Sequence, residues 1–290
     1  MTPVPALGFC FVPTQRPETL FSLARTVERH GLDELWVWED CFKQSGIASA
    51  AVALASTSRI RVGIGLLPVP LRNVALTAME LATLERMFPG RVVPGVGHGV
   101  QGWMAQVGAR VGSPLTLLRE YAGALRALLA GETVTTSGRY VHLDQVALDW
   151  PPERAPRLMV GGQGPKSLDL AAEVGDGVLL VAAMTDGEVA DASGRVTAVR
   201  GIGHPVVGSL IVATGPGAQQ RVDAEVPKWG REAGLGIGAV GDADAVADAV
   251  RRLAGLGATS VVFQPTEDEP DLDGLIRFLG VDVRARLTGD

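Results

Sequence analysis

Hydrophobic positions along the chain follow two alternating periods. Short apolar runs, typical of strands buried on both faces, are separated by longer segments whose apolar residues recur at helical spacing. We predict strands over residues 7–12, 34–38, 60–67, 91–96, 158–160, 177–181, 206–213 and 260–264. Helices are predicted over 17–30, 47–56, 74–87, 115–130, 166–173, 187–199, 218–232, 243–256 and 272–279. Such alternation indicates a parallel sheet covered by helices.

Eight strand and helix units fit a (β/α)8 TIM barrel, which typically takes about 250 residues. Residues 133–148 interrupt the alternation with one or two short strands, so we expect a short inserted excursion around 133–150. A doubly wound open sheet is the alternative. No linker rich in proline or serine divides the chain, which predicts a single domain over residues 1–290.

Composition excludes several classes of protein. Of the 290 residues 47% are hydrophobic, the net charge is −6, and the basic residues are scattered, which argues against nucleic-acid binding. No apolar run approaches the about 18 residues of a membrane helix. The amino terminus lacks a basic start and a cleavage site, and the two cysteines, Cys10 and Cys41, fit buried thiols. We therefore expect a cytoplasmic protein without a membrane partner.

Two acidic residues follow the second predicted strand. In a barrel the active site lies at the carboxyl ends of the strands, which nominates Glu39 and Asp40. Because adjacent residues of a strand point in opposite directions, only one of them can face the barrel axis. A carboxylate there could hold a cofactor ring or transfer a proton, and the alternative is a solvated loop acid.

Glycines surround the only histidine at the carboxyl end of a predicted strand. Gly97, His98 and Gly99 end strand four, where a planar ring could lie against the backbone. His98 could bind a ring or phosphate or act as an acid, and a structural role is the alternative. Trp103 follows, either lining a pocket or packing.

The segment 157–177 predicts a strand, a glycine-rich turn and a helix. The turn and first helical residues are Gly161, Gly162, Gln163, Gly164, Pro165, Lys166 and Ser167. Free backbone N–H groups, a helix amino terminus and a lysine favour a phosphate. The glycine spacing is neither that of a Walker loop nor that of a Rossmann turn, and a plain tight turn is the alternative. No metal-ligand spacing and no GxSxG motif occur.

Several segments together resemble the bacterial luciferase-like family of flavin- or deazaflavin-dependent oxidoreductases. They are residues 36–39, 59–99, 113–132, 138–152, 160–177 and 240–265, whereas 185–238 matches poorly. The resemblance implies a (β/α)8 barrel, commonly homodimeric, that binds FMN or coenzyme F420 at the strand carboxyl ends. It also implies a cofactor phosphate on the turn 161–167 and a non-proline cis peptide at Gly65–Leu66, behind the central ring.

The resemblance places Glu39 near the ring system. Where the family often has a proton-donating histidine, this chain has Asp40, and where some deazaflavin enzymes carry a catalytic glutamate it has Val100. Both departures argue against sugar-phosphate dehydrogenase chemistry. Asp40 and His98 remain the candidate proton donors.

We expect a coenzyme F420-dependent oxidoreductase that transfers a hydride to or from a small organic substrate, because the short sequence rich in alanine, glycine and valine resembles the deazaflavin-using branch. An FMN-dependent monooxygenase working with a separate flavin reductase is the alternative. A cofactor-free, non-catalytic barrel acting as a binding protein is the third hypothesis. In either enzyme the cofactor supplies the chemistry and the barrel supplies orientation.

Overall fold

Eight parallel strands close into a barrel in the computed structural model, which describes residues 4–289. Residues 1–3 and 290 of the predicted domain lie outside the described part. The strands, in chain order, are β1 (Ala6–Phe11), β2 (Glu34–Val37), β3 (Arg61–Pro68), β4 (Val92–Gly97), β5 (Val134–Ser137), β6 (His142–Val146), β7 (Met159–Gly162), β8 (Gly177–Leu180), β9 (Val206–Ala213), β10 (Ala239–Val240) and β11 (Ser260–Pro265).

The pairing of the strands settles the choice between a barrel and an open sheet. Neighbours run β1–β2–β3–β4–β7–β8–β9–β11, and β11 pairs with β1 to close the ring. The (β/α)8 barrel is therefore confirmed, and the open sheet is wrong. The two-residue β10, which sequence analysis missed, adds to the end of β9.

Helices follow the strands on the outside of the barrel. They are α1 (Leu20–Arg29), α2 (Gly46–Ser56), α3 (Val74–Met87), α4 (Gln101–Gln106), α5 (Pro114–Leu129), α6 (Pro165–Val174), α7 (Asp186–Arg200), α8 (Ala218–Glu225), α9 (Ala243–Gly255), α10 (Leu272–Arg277) and α11 (Arg284–Thr288). The pattern predicted most of these within one or two residues at each end, but it missed the short α4.

Two predicted helices have the wrong length. The helix predicted over 218–232 ends at Glu225 and continues only as a 3-10 turn, Val226–Trp229, because Pro227 lacks an N–H donor and Gly230 adopts a left-handed φ of 69°. The helix predicted over 272–279 instead runs on, since a π-helical segment, Phe278–Val283, joins α10 to α11.

The predicted excursion is an antiparallel hairpin of β5 and β6. Its turn is fastened to α5, because the carboxylate of Glu120 accepts hydrogen bonds from the backbone N–H groups of Arg139, Tyr140 and Val141 at 2.8–3.1 Å. The hairpin therefore lies outside the barrel wall rather than forming a barrel unit.

Alternate residues of the barrel strands serve two different apolar cores. On β1, Phe9 belongs to the outer core together with helix residues such as Val27 and Leu81, whereas its neighbour Cys10 lies in an inner cluster with Trp36. This is the alternation expected of a strand covered by helices on one face. No helix within residues 4–289 is long and apolar enough to cross a membrane.

Candidate active site

A cavity of about 270 Å³ opens at the carboxyl ends of the barrel strands. Residues predicted for the site that line it are Glu39, Asp40, Gly65, Leu66, His98, Gly99, Gly161, Gly162 and Gln163. Gly97, Gly164, Lys166 and Ser167, also predicted, do not line it. The fold therefore gathers residues from four strand ends, spread over more than a hundred positions of sequence, around one opening.

The floor of the cavity is formed at a cis peptide bond between Gly65 and Leu66, the bond that the family resemblance implied. A second non-proline cis bond, Cys41–Phe42, was not predicted. A Cβ atom added to Gly161 would lie 2.3 Å from Leu66 Cδ2, and one added to Gly97 would lie 2.6 Å from it. These two glycines therefore make room for the Leu66 side chain, and Gly97 lies beneath the cavity.

The carboxylate of Glu39 is fixed by protein groups. Both oxygens pair with the guanidinium of Arg72, and Oε2 accepts a hydrogen bond from the backbone N–H of Gly46 at 2.7 Å. Arg72 also reaches Glu80, at 3.3 Å. The sequence analysis did not identify Arg72, which comes 33 residues after Glu39 in the chain, beyond β3. Glu39 is thus a rigid part of the cavity wall.

Asp40, by contrast, is a carboxyl group without a partner. It is half-buried at the cavity wall, and no donor within residues 4–289 forms a hydrogen bond or ion pair with its side chain. Burial raises the pKa of Asp40, and the positive charge of Lys43 opposes this only in part. A raised pKa is what a carboxyl group needs to hold a proton for donation near neutral pH.

The ring of His98 is oriented by the loop that follows β4. Its Nδ1 lies 2.8 Å from the carbonyl oxygen of Gly99, and Gln101 donates a hydrogen bond to the His98 carbonyl at 3.1 Å. Because a carbonyl oxygen only accepts, Nδ1 donates this hydrogen bond, and Nε2 has no hydrogen-bond partner within residues 4–289.

Aromatic side chains form much of the remaining wall. Four of the five tryptophans of the chain line the cavity, namely Trp36, Trp38, Trp103 and Trp229. The rings of Trp38 and Trp229 pack edge to face with centroids 5.6 Å apart. Trp229 comes from the glycine-rich segment after β9, where the sequence pattern gave no signal for a site.

The glycine turn before α6 combines two different kinds of glycine. A Cβ on Gly162 would lie 2.9 Å from backbone atoms of Ser167, so the close approach of strand and helix requires glycine there. At Gly164, the residue preceding α6, a Cβ would meet nothing within 4 Å and φ is −82°. Neither close packing nor an unusual φ requires glycine at position 164. The absence of a side chain there leaves the turn open to a ligand.

The surroundings of this turn suit an anion. Lys166 is exposed in the first turn of α6 and forms no ion pair with any described residue. Pro165 has no N–H and the Ser167 N–H donates to the Gly164 carbonyl at 2.9 Å, so the Lys166 N–H and the partial positive charge of the ten-residue helix remain for a ligand. No group of three or more His, Cys, Asp or Glu residues in the described part of the chain is arranged to hold a metal ion.

Comparisons with known proteins bear on the family of the chain and on its fold. The model of the luciferase-like monooxygenase family matches residues 8–224. The 5,10-methylenetetrahydromethanopterin reductase of Methanolobus tindarius is 33% identical over 173 residues, which is 60% of this chain and 53% of that protein. The F420-dependent glucose-6-phosphate dehydrogenase of Kineococcus radiotolerans is 30% identical over 177 residues, 56% of this chain and 52% of that protein.

The chain thus matches about half the length of these curated relatives. Among solved structures, the F420-dependent tetrahydromethanopterin reductase of Methanopyrus kandleri superimposes with a TM-score of 0.83 at 21% identity, covering 98% of this chain and 100% of that one. This likeness shows a shared barrel fold.

Proposed function

The chain belongs to the luciferase-like monooxygenase family, and we propose that it is an oxidoreductase that transfers a hydride between coenzyme F420 and a small organic substrate. The observation that carries the proposal is the open turn at Gly164, which adjoins an aromatic cavity at the strand carboxyl ends. Relatives whose names include methylenetetrahydromethanopterin reductase and F420-dependent dehydrogenase support it.

The residues present fit a cofactor that has a phosphate and a flat ring. Gly164, Lys166 and Ser167 would hold the phosphate, because the missing Cβ leaves the helix amino terminus accessible. Leu66 and the tryptophans would hold the ring in the cavity. When bound, the deazaflavin supplies or accepts the hydride.

The protein's part in the reaction is to move the accompanying proton. Asp40, unpaired and with a raised pKa, would donate a proton to the substrate when the substrate is reduced. His98 is the second candidate, because its Nδ1 is occupied by the Gly99 carbonyl and its Nε2 is free. The group that donates the proton in reduction of a ketone would accept it in oxidation of the alcohol. Glu39 would remain paired with Arg72 throughout.

The cavity wall indicates the class of substrate. No lysine or arginine is among the described residues that line the cavity, so nothing there would neutralise a substrate phosphate. The aromatic and aliphatic lining would exclude water and favour an uncharged organic molecule. We therefore propose an uncharged ketone, alcohol, imine or activated alkene rather than a sugar phosphate.

FMN is the alternative cofactor, favoured by the family's description as monooxygenases. The same turn would hold the FMN phosphate, and the enzyme would then activate oxygen with electrons from a separate flavin reductase. We prefer F420 because relatives whose names refer to F420 are among those matched.

We also propose that residues 1–290 act as one barrel domain, that the chain forms a homodimer, and that it works in the cytoplasm. Leu76, Met79 and Met87 are about half or more exposed on one side of α3, an apolar face that suits a second copy. The unpaired thiols of Cys10 and Cys41 fit a reducing compartment.

Turnover tests the proposal. Reduced F420 is mixed without oxygen with a panel of uncharged ketones, imines and activated alkenes, and its reoxidation is followed by absorbance. We expect reoxidation with at least one class, lost in Asp40→Asn although that variant still binds the cofactor. Turnover only with FMN, a flavin reductase and oxygen would establish the alternative. If neither cofactor binds, the chain is a non-catalytic barrel.

A further inference from the structure

A second and larger cavity, of about 490 Å³, lies at the opposite end of the barrel. It is bordered by the amino-terminal ends of several barrel strands and by the loop that precedes β7. This end of a (β/α)8 barrel ordinarily serves stability rather than catalysis. Here it contains a concentration of charged side chains that the proposed oxidoreductase chemistry does not use.

Three arginines, Arg61, Arg154 and Arg157, line this cavity. Arg61 is paired with Glu34, its Nη2 lying 2.5 Å from Oε1. Arg154 and Arg157 are exposed, and across residues 4–289 neither forms a hydrogen bond or an ion pair. Two guanidinium groups are therefore available to a ligand.

Glu34 cannot neutralise these two arginines, because its carboxylate is already saturated. Besides the bond from Arg61, Oε2 accepts hydrogen bonds from Trp36 Nε1 at 2.7 Å and from the Ser260 hydroxyl at 2.8 Å. Three arginines stand against two acidic residues, Glu34 and Glu85, so the cavity has an excess of positive charge. Guanidinium groups bind oxyanions in a bidentate manner.

Glu85 is the second acid beside this cavity. The residue is only 6% exposed, and its Oε1 accepts a hydrogen bond from the Gly90 N–H at 2.6 Å. Its other oxygen, Oε2, has almost no accessible surface and so does not face the cavity. Burial raises the pKa of Glu85, and the Gly90 and Val92 N–H groups and the charge of Arg154 oppose this only in part.

We propose that this cavity binds a small oxyanion, of which phosphate is the simplest member. Arg154 and Arg157, the two cavity arginines without a hydrogen-bond or ion-pair partner in residues 4–289, would bind its oxygens. The site is separate from the cofactor turn at α6, which lies at the other end of the barrel.

Trp36 borders both cavities, and its indole N–H is bonded to Glu34, which also binds Arg61. Trp36 therefore forms part of the wall of both cavities.

Calorimetric titration with inorganic phosphate at low ionic strength tests the site. The Lys166→Ala variant serves as the background, so that phosphate bound at the α6 turn does not contribute. We expect saturable binding that is weakened about tenfold or more in Arg154→Gln/Arg157→Gln, because each lost bond to a charged group is of that order. Arg251→Gln is the matched control, because Arg251 is exposed and pairs with Asp248.

Absence of saturable phosphate binding, or binding unchanged in the double arginine variant, would overturn the site.

Discussion

The indole of Trp36 lies directly against the backbone of Gly63, its partner on the neighbouring strand. A Cβ atom at residue 63 would be 2.3 Å from Trp36 Cδ2. Gly8, on the strand at the other side of β2, is almost as close, since its Cβ would lie 3.1 Å from Trp36 Cδ1. Small residues on both neighbours thus let one large side chain fill the middle of the barrel, between the two cavities.

Gly63→Ala should destabilise the protein. The added methyl group would overlap the indole, and overpacking of this kind typically costs about 1–3 kcal/mol. The measurement is the free energy of unfolding from urea denaturation, with Gly164→Ala as the control, since a Cβ there meets nothing. Equal stability of the two variants would show that Trp36 does not pack as described.

Arg72→Met should lower stability far more than loss of an exposed ion pair. The Glu39–Arg72 side chains are 8% and 16% exposed, and breaking a buried pair costs about 3–5 kcal/mol, because one charge remains buried alone. Arg119→Met breaks the exposed pair with Glu173 and should cost less than about 1 kcal/mol. Glu39→Gln in the Arg72→Met background should recover part of the lost stability, because it removes the unpaired charge. If Arg72→Met and Arg119→Met lower the free energy of unfolding equally, Glu39 is not held by Arg72 as proposed.

Asp40→Asn should abolish reductive turnover while making the fold more stable. Since burial raises the folded-state pKa of Asp40, ionisation of this group opposes folding. The pH dependence follows from linkage. The contribution of protonated Asp40 to the free energy of unfolding is complete below the unfolded-state pKa of about 3.9, and it is lost as pH rises through the folded-state pKa.

The stability advantage of Asp40→Asn over the natural protein should therefore grow as pH rises from about 4 through the folded-state pKa of Asp40, and then stay constant. Urea midpoints of both proteins at a series of pH values measure it. A constant difference would mean that Asp40 titrates as in the unfolded chain and is a poor candidate for the proton donor.

Lys166→Ala and Gly164→Ala should each weaken F420 binding several-fold, because one removes a positive charge and the other obstructs the turn. The deazaflavin lacking its phosphate should bind both variants and the natural protein equally. Titration of each variant with both compounds separates the two effects. If binding of the phosphate-free compound is weakened as much, the two substitutions disturb the fold and do not remove a contact with the phosphate.

Periodicity was enough to predict the barrel and most of its helices, because strands buried on both faces and helices with one apolar stripe leave clear patterns. It failed after β9, where Pro227 and several glycines end α8 early. There the structure depends on contacts such as that between Trp38 and Trp229, which join residues from distant parts of the chain.

The sequence predicted a residue of the candidate site only where its place at a strand end or in the glycine turn was enough to identify it. Strand ends and the glycine turn nominated Asp40, His98 and Gly164 from local sequence. Local sequence carried no sign of Arg72, because its importance arises from a partner 33 residues earlier. It also could not show that Gly97 makes room for Leu66 beneath the cavity.

Equilibrium titration of the purified protein with F420 and, in parallel, with FMN tests the central claim most directly. Four tryptophans line the cavity, so quenching of their fluorescence reports on its occupancy. The proposal predicts saturable quenching by F420 at least about tenfold tighter than by FMN, a difference of about 1.4 kcal/mol. Tighter binding of FMN would contradict the deazaflavin assignment, and binding of neither would contradict a cofactor-dependent enzyme altogether.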